Sequence, residues 1–133
     1  LEFTLLAEGI RKLALLWVLI QNGTLLQGAV LCWDEPETNL NPRLMKTVVA
    51  ILIELQRLGV QIFLSTHDYV ILKEFDLQTE SQDQVRYHAF SHSDEENKIV
   101  VDSTDQYLAI SPNTIDETFS DLVNREIDRT MVE

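Results

Sequence analysis

The stretch Ala29-Val30-Leu31-Cys32-Trp33-Asp34-Glu35-Pro36 is a short apolar run that ends in two adjacent carboxylates and a proline. An apolar run of this length closed by a breaker fits a parallel strand buried on both faces. Pro36 has no N–H and cannot continue a ladder. The run predicts a strand over residues 29–33, with Asp34 and Glu35 at its C-terminal end. In open α/β sheets, ligands bind outside that end of the strands.

Downstream, Asn39-Leu40-Asn41-Pro42 reads as a loop entering a helix, with Asn41 as N-cap and Pro42 in the first turn. Leu44, Met45, Val48, Ile51, Leu52, Leu55 and Leu58 mark one face of that helix, and Gly59 ends it. Val60 to Leu64 is a second apolar run, stopping at Ser65-Thr66-His67-Asp68. Strand, helix, strand is a βαβ unit, whose crossover makes the two strands parallel in one sheet. Asp34-Glu35 and His67-Asp68 are therefore expected on one edge, with Asp68 as the N-cap of a short helix from Tyr69 to Phe75.

Upstream, residues 7–21 read as a helix that is apolar nearly all round. Ile10, Leu13, Ala14, Trp17 and Val18 lie on one side, and Leu15, Leu16, Leu19 and Ile20 fill the opposite one. Such a helix is expected to be packed on several sides, with Asn22-Gly23 as its stop. Past a polar loop at 78–84, Val85 to Ser91 and Lys98 to Ser103 alternate as two strands joined by the acidic turn Asp94-Glu95-Glu96-Asn97. A helix start at Ser111-Pro112-Asn113-Thr114 leads into a face of Ile115, Phe119, Leu122, Val123 and Ile127. The predicted fold class is α/β, a parallel βαβ core followed by an antiparallel β-hairpin and a C-terminal helix. Residues 1–75 would form the core, and 76–133 an acidic extension of the same domain.

A chain of 133 residues supports one domain with a real core. It begins at Leu1, already inside an element, so we expect a piece of a longer protein. Residues 1–73 carry six basic and seven acidic side chains, whereas 74–133 carry four and fifteen. The acidic C-terminal part repels phosphate backbones and does not indicate nucleic-acid binding. One cysteine, Cys32, cannot form an internal disulfide and reads as a small core residue. Leu13 to Ile20 follows Arg11 and Lys12 but is far shorter than the roughly 20 residues that span a bilayer, so no membrane segment is expected and the protein reads as cytoplasmic. His88 and His92 alternate with Tyr87 and Phe90 and receive no role.

Two carboxylates at a strand's end are costly to hold without a cation nearby. Hydrated Mg²⁺ with nucleotide phosphates is such a partner, because it binds through one or two carboxylates and keeps several waters. Successive strand residues point opposite ways, so Asp34 and Glu35 are expected to do different jobs.

The run from Ala29 to Pro42 resembles the Walker B motif and D-loop of the ABC-type ATPase clade, a branch of the P-loop NTPases. It is most similar to the soluble members: AAA-like, overcoming-lysogenization-defect and structural-maintenance-of-chromosomes ATPases. Phe63-Leu64-Ser65-Thr66-His67-Asp68 is similar to the strand and switch histidine that follow in that clade, and Leu6-Ala7-Glu8-Gly9-Ile10-Arg11 stands at the place of its signature motif. The resemblance covers residues 5–75 and implies ATP and Mg²⁺ as cofactors. It implies that Asp34 holds Mg²⁺ through water, that Glu35 is the catalytic base or water-positioning group, and that His67 contacts the γ-phosphate. It further implies a homodimer, with Asn39 to Asn41 lining its interface and Ala7, Glu8 and Gly9 facing the γ-phosphate of ATP bound to the other subunit. Gly9 would there allow close approach to phosphate, with the following helix N-terminus supplying N–H groups.

Ala7 and Glu8 stand where the signature usually has Ser and Gly, and Asn41 replaces the usual aspartate. No G-x-x-x-x-G-K-[ST] occurs, so the loop that cradles the phosphates is expected outside these residues, leaving this chain to bind ATP weakly or not at all. Two other readings compete. One is a metal-dependent nuclease or phosphohydrolase built on Asp34, Glu35, His67 and Asp68. The other is a non-catalytic assembly fragment that captures a protein partner through the acidic hairpin and last helix.

Overall fold

The apolar run that opens the sequence reading forms strand β1, Val30–Asp34, and the second run forms β2, Gln61–Ser65. A computed structural model gives the protein's structure, describing residues 2–93 and 97–131, with side chains from residue 9 onward. The two strands pair directly and in parallel, in a register that runs from Val30 opposite Gln61 to Asp34 opposite Ser65. Between them, helix α2 spans Pro42–Arg57. Asn41 caps it by accepting the Arg43 N–H at 3.0 Å, and Pro42 occupies the first turn. Its end is a Schellman turn: Gly59 adopts φ +90°, its N–H donates to Gln56 O at 2.9 Å, and the Val60 N–H donates to Leu55 O at 3.0 Å. The mixed α/β architecture with a parallel pair is therefore as the spacing predicts.

Helix α1 is Glu2–Gln21 and helix α3 is Tyr69–Gln78. Leu13 of α1, Met45, Val48 and Leu52 of α2, and Ile71 and Phe75 of α3 pack together with Leu31, Trp33, Ile62 and Leu64 of the strands. A second cluster joins Leu16, Leu25, Leu55 and Val60, with Leu19, Ile20 and Ile51 against it. All three helices thus contribute to the core on one face of the sheet.

Three sequence expectations are corrected here. The strands are buried on one face only: Val30 and Phe63 are 57% and 56% exposed on the other, and Cys32, expected in the core, is exposed there as well. Helix α1 is likewise buried along one stripe, Gly9, Leu13, Leu16, Leu19 and Ile20, while Ile10, Leu15, Trp17 and Val18 are exposed. An all-round apolar helix carries little periodic information, so its inner side could not be read from the pattern. On α2, by contrast, burial exceeds expectation. Val49 and Ile53 are buried on a second flank, where Gln78 Nε2 donates to Lys46 O at 3.1 Å and Arg57 grips Asp83.

That last contact is a two-point fork, with Arg57 Nε and Nη2 donating to the two Asp83 carboxylate oxygens at 2.7 and 2.8 Å. The guanidinium first, and the Glu80 N–H second, hold the Asp83 carboxyl below its ordinary range. A carboxyl whose folded value is depressed contributes stability above its unfolded value of about 3.9, and that stability is lost as pH falls through the folded value. Asp83→Asn should therefore flatten the acid-side loss of thermal stability below about pH 4, seen as a smaller drop in melting temperature than in the wild type. An equal or steeper drop would show that this pair does not set the acid response.

The chain divides into two compact units, Leu1–Gln84 and Val85–Glu133. In the second, β3 (Tyr87–Ser93) and β4 (Lys98–Thr104) form an antiparallel hairpin in a continuous register from Tyr87 opposite Thr104 to Ser93 opposite Lys98. Of the expected acidic turn, Asp94, Glu95 and Glu96 lie outside the described residues. A short 3₁₀ turn, Tyr107–Ala109, buries Tyr107 edge-on against Tyr87, and its hydroxyl donates to Asp116 at 2.8 Å. Helix α4, Thr114–Met131, begins where Asn113 accepts the Asp116 N–H, and none of its residues is buried. Among the described residues no helix is long and apolar enough to cross a membrane.

Candidate functional site

Because β1 and β2 are parallel neighbours, their C-terminal ends form one edge, and the polar residues that follow each strand meet there. The ladder runs one residue past β1, with the Glu35 N–H donating to Ser65 O at 2.9 Å. Across the same rung the Ser65 hydroxyl donates to Asp34 Oδ1. Glu35 then leaves the strand direction at φ +44°, in the left-handed region. Its Oε1 lies 3.2 Å from His67 Nδ1, and its Oε2 accepts from the Thr38 hydroxyl at 3.0 Å. His67 and Glu35 remain 75% and 44% exposed, so the pair opens to solvent. A ligand arriving at the strand ends would reach both side chains.

Three further residues complete the edge. Thr66 donates its hydroxyl to Glu37 Oε1 at 2.6 Å and accepts the Asp68 N–H at 3.0 Å. Glu37 Oε2 is buried without a hydrogen-bond partner. Lys12 reaches in from α1, its Nζ donating to Glu35 O at 3.2 Å and Thr38 O at 2.7 Å. Lys12, Thr38, Thr66 and Glu37 receive no part in the sequence reading. Lys12 falls on the stripe of Gly9, Leu13 and Leu16, which the all-round apolar pattern of α1 does not single out.

The structure brings Asp34, Glu35 and His67 together. Asp68 turns away, capping α3 by accepting the Ile71 N–H at 3.0 Å. Asn41 is occupied as the α2 cap. Asn39 adopts φ +62°, and its carbonyl oxygen lies where a Cβ on Gly9 would come within 2.8 Å of it. The side chains of Ala7 and Glu8 lie outside the described residues. Helix α1 already begins at Glu2, before the expected start near Ala7, because nothing in Glu2 to Glu8 breaks a helix. The amides of Ala7, Glu8 and Gly9 accordingly lie within α1 rather than at its first turn.

Among the described residues no three of His, Cys, Asp and Glu converge as a metal-binding group. Hydrated Mg²⁺ needs no such cluster, since one or two carboxylates and its own waters suffice. The exposed Asp34 carboxylate, beside the Ser65 hydroxyl, offers hard oxygen donors of that kind.

Residues 1–73 match the family described as "AAA domain, putative AbiEii toxin, Type IV TA system". The chain belongs to that family. The matched segment of this AAA domain contains the whole βαβ unit and the strand-end edge. A 46-residue segment is 37% identical to the energy-coupling factor transporter ATP-binding protein EcfA of Methanothermobacter thermautotrophicus, covering 35% of this chain and 15% of that protein. The AAA-domain chain thus corresponds to a small part of that relative's length. No solved structure matches it. The family is that of an AAA domain, and the relative is an ATP-binding protein.

Proposed function

We propose that the β1–β2 edge is the catalytic half of an ATP-hydrolysing site, completed by a phosphate-cradling loop carried elsewhere in the full-length protein. The observation that carries this reading is the parallel register, which sets Asp34-Glu35 beside Ser65–His67 and leaves Glu35 Oε1 at 3.2 Å from His67 Nδ1. Asp34 corresponds to the magnesium-side carboxylate of a Walker B strand, and Glu35 to its base. Bound Mg²⁺ would supply charge neutralisation for the phosphates. Glu35 orients a water and takes its proton, with the carboxylate held from one side by Thr38 and from the other by His67. His67, exposed and adjacent, donates to the terminal phosphate.

In this reading residues 1–75 are the ATPase core and 76–133 its acidic extension. Two subunits close over two nucleotides, with Ala7, Glu8 and Asn39 to Asn41 facing the second subunit, while Gly9 packs on the Asn39–Leu40 backbone of its own chain. The metallo-nuclease alternative fits less well, because Asp68 is committed to capping α3 and no group of three ligands forms among the described residues. Hydrolysis of ATP by the full-length protein, with and without Glu35→Gln, tests the proposal.

A further inference from the structure

Helix α1 meets the Glu35–Leu40 loop at two points one helical turn apart. At Gly9 the helix backbone presses against the loop so closely that a Cβ would sit 2.8 Å from Asn39 O and 2.9 Å from Leu40 Cδ1. At Lys12 the ammonium donates to two loop carbonyls, those of Glu35 and Thr38. The Glu35 carbonyl is also the acceptor of the Thr38 N–H at 3.1 Å, so ammonium and amide close the same turn.

The residue that opens that turn, and whose carbonyl both donors share, is Glu35, at φ +44°. A non-glycine residue is strained in this sparsely populated backbone region and stays there only where its surroundings over-determine it. Lys12 supplies that constraint from outside the loop. Its position on the inner stripe of α1, beside Leu13, removes part of its stem from water, and its two named acceptors are both backbone carbonyls of the loop that carries the carboxylate.

We infer that Lys12 is a positioning residue for Glu35, fixing the turn that aims its carboxylate and tying that aim to the placement of α1. Lys12 touches no reacting atom itself. The inference rests on the ATPase reading for its kinetic consequence and on the turn alone for its structural one.

The test uses the full-length protein with Lys12→Met, which keeps the stem and removes the donors, and Lys12→Arg, which restores them. A misaimed catalytic group costs on the order of 10–100-fold. Lys12→Met should lower kcat for ATP hydrolysis by about that factor with KM within about twofold, and Lys12→Arg should recover most of it. Amide exchange provides the second readout: the Thr38 and Leu40 amides, bonded to Glu35 O and Glu37 O, should exchange faster in Lys12→Met while α2 amides keep their protection. Wild-type kcat in Lys12→Met, where Glu35→Gln abolishes turnover, overturns the Lys12 role and leaves the ATPase reading standing. Full turnover in Glu35→Gln takes Glu35 out of the mechanism, and absence of ATP hydrolysis in the wild type sinks the ATPase reading; in either case the exchange experiment decides alone, with unchanged Thr38 and Leu40 amides overturning the inference. Faster exchange throughout α2 and β1 would mean general loss of fold and would likewise overturn it.

Discussion

In the full-length protein, Glu35→Gln lowers ATP turnover by about 10²–10⁴-fold, the scale of a lost general base. Glutamine keeps the size of the side chain and its amide oxygen can still accept the Thr38 hydroxyl, so the turn and the neighbouring His67 are retained. What disappears is the carboxylate that takes the proton. The loss should therefore fall on kcat, with KM for ATP little changed, because no binding contact is removed. The ATP-bound, closed dimer should accumulate, detectable as nucleotide co-purifying with a species of doubled mass. Hydrolysis within a few-fold of wild type would take Glu35 out of the mechanism.

Leu52→Ala acts on the support of the same edge rather than on its chemistry. Leu52 is 1% exposed and sits where Met45, Val48 and Ile71 meet the inner face of both strands. Truncation of such a leucine costs about 2–5 kcal/mol, the transfer of its methyl groups plus the cavity left behind. Domains of this size hold roughly 5–15 kcal/mol in total. Each kcal/mol is worth roughly 4–8 °C in a domain of 60–100 residues, so thermal unfolding followed by circular dichroism should show a fall of at least about 8 °C. Leu52→Met, of similar volume, should cost less than about 1.5 kcal/mol. A melting temperature unchanged in Leu52→Ala would mean that this cluster does not hold β1 and β2 in register. The two variants separate chemistry from scaffold, since Glu35→Gln should leave the melting temperature where it is.

The parallel sense of the two strands, the capped crossover helix and the opening of Asp34-Glu35 and His67 onto one strand-end edge were legible in the chain, whereas the direct pairing of β1 with β2 was not. Each rests on a local signal: an apolar run with a breaker, Asn41-Pro42 before a periodic face, a second run ending in polar residues. What the chain did not disclose depends on contacts between segments distant in sequence. The inner face of α1 was hidden because leucines lie on all its sides, and only packing against Leu31 and Trp33 selects Leu13 and Leu16 over Leu15 and Trp17. Cys32 reads as buried by composition, yet strand alternation puts it with Val30 on the uncovered face. Gly9 was read as room for a phosphate, whereas the space beside it is filled by the Asn39 carbonyl. Lys12 escaped for a related reason: its two partners are backbone carbonyls, which leave no mark on residue identity.

The most direct measurement is a structure of the full-length Glu35→Gln protein with Mg·ATP. The account predicts the terminal phosphate within about 3 Å of a His67 ring nitrogen, the metal's water shell on the Asp34 carboxylate, and residue 35 facing the water in line with that phosphate. Nucleotide whose phosphates lie away from the ends of β1 and β2, with Asp34 and His67 touching neither metal nor phosphate, would contradict it.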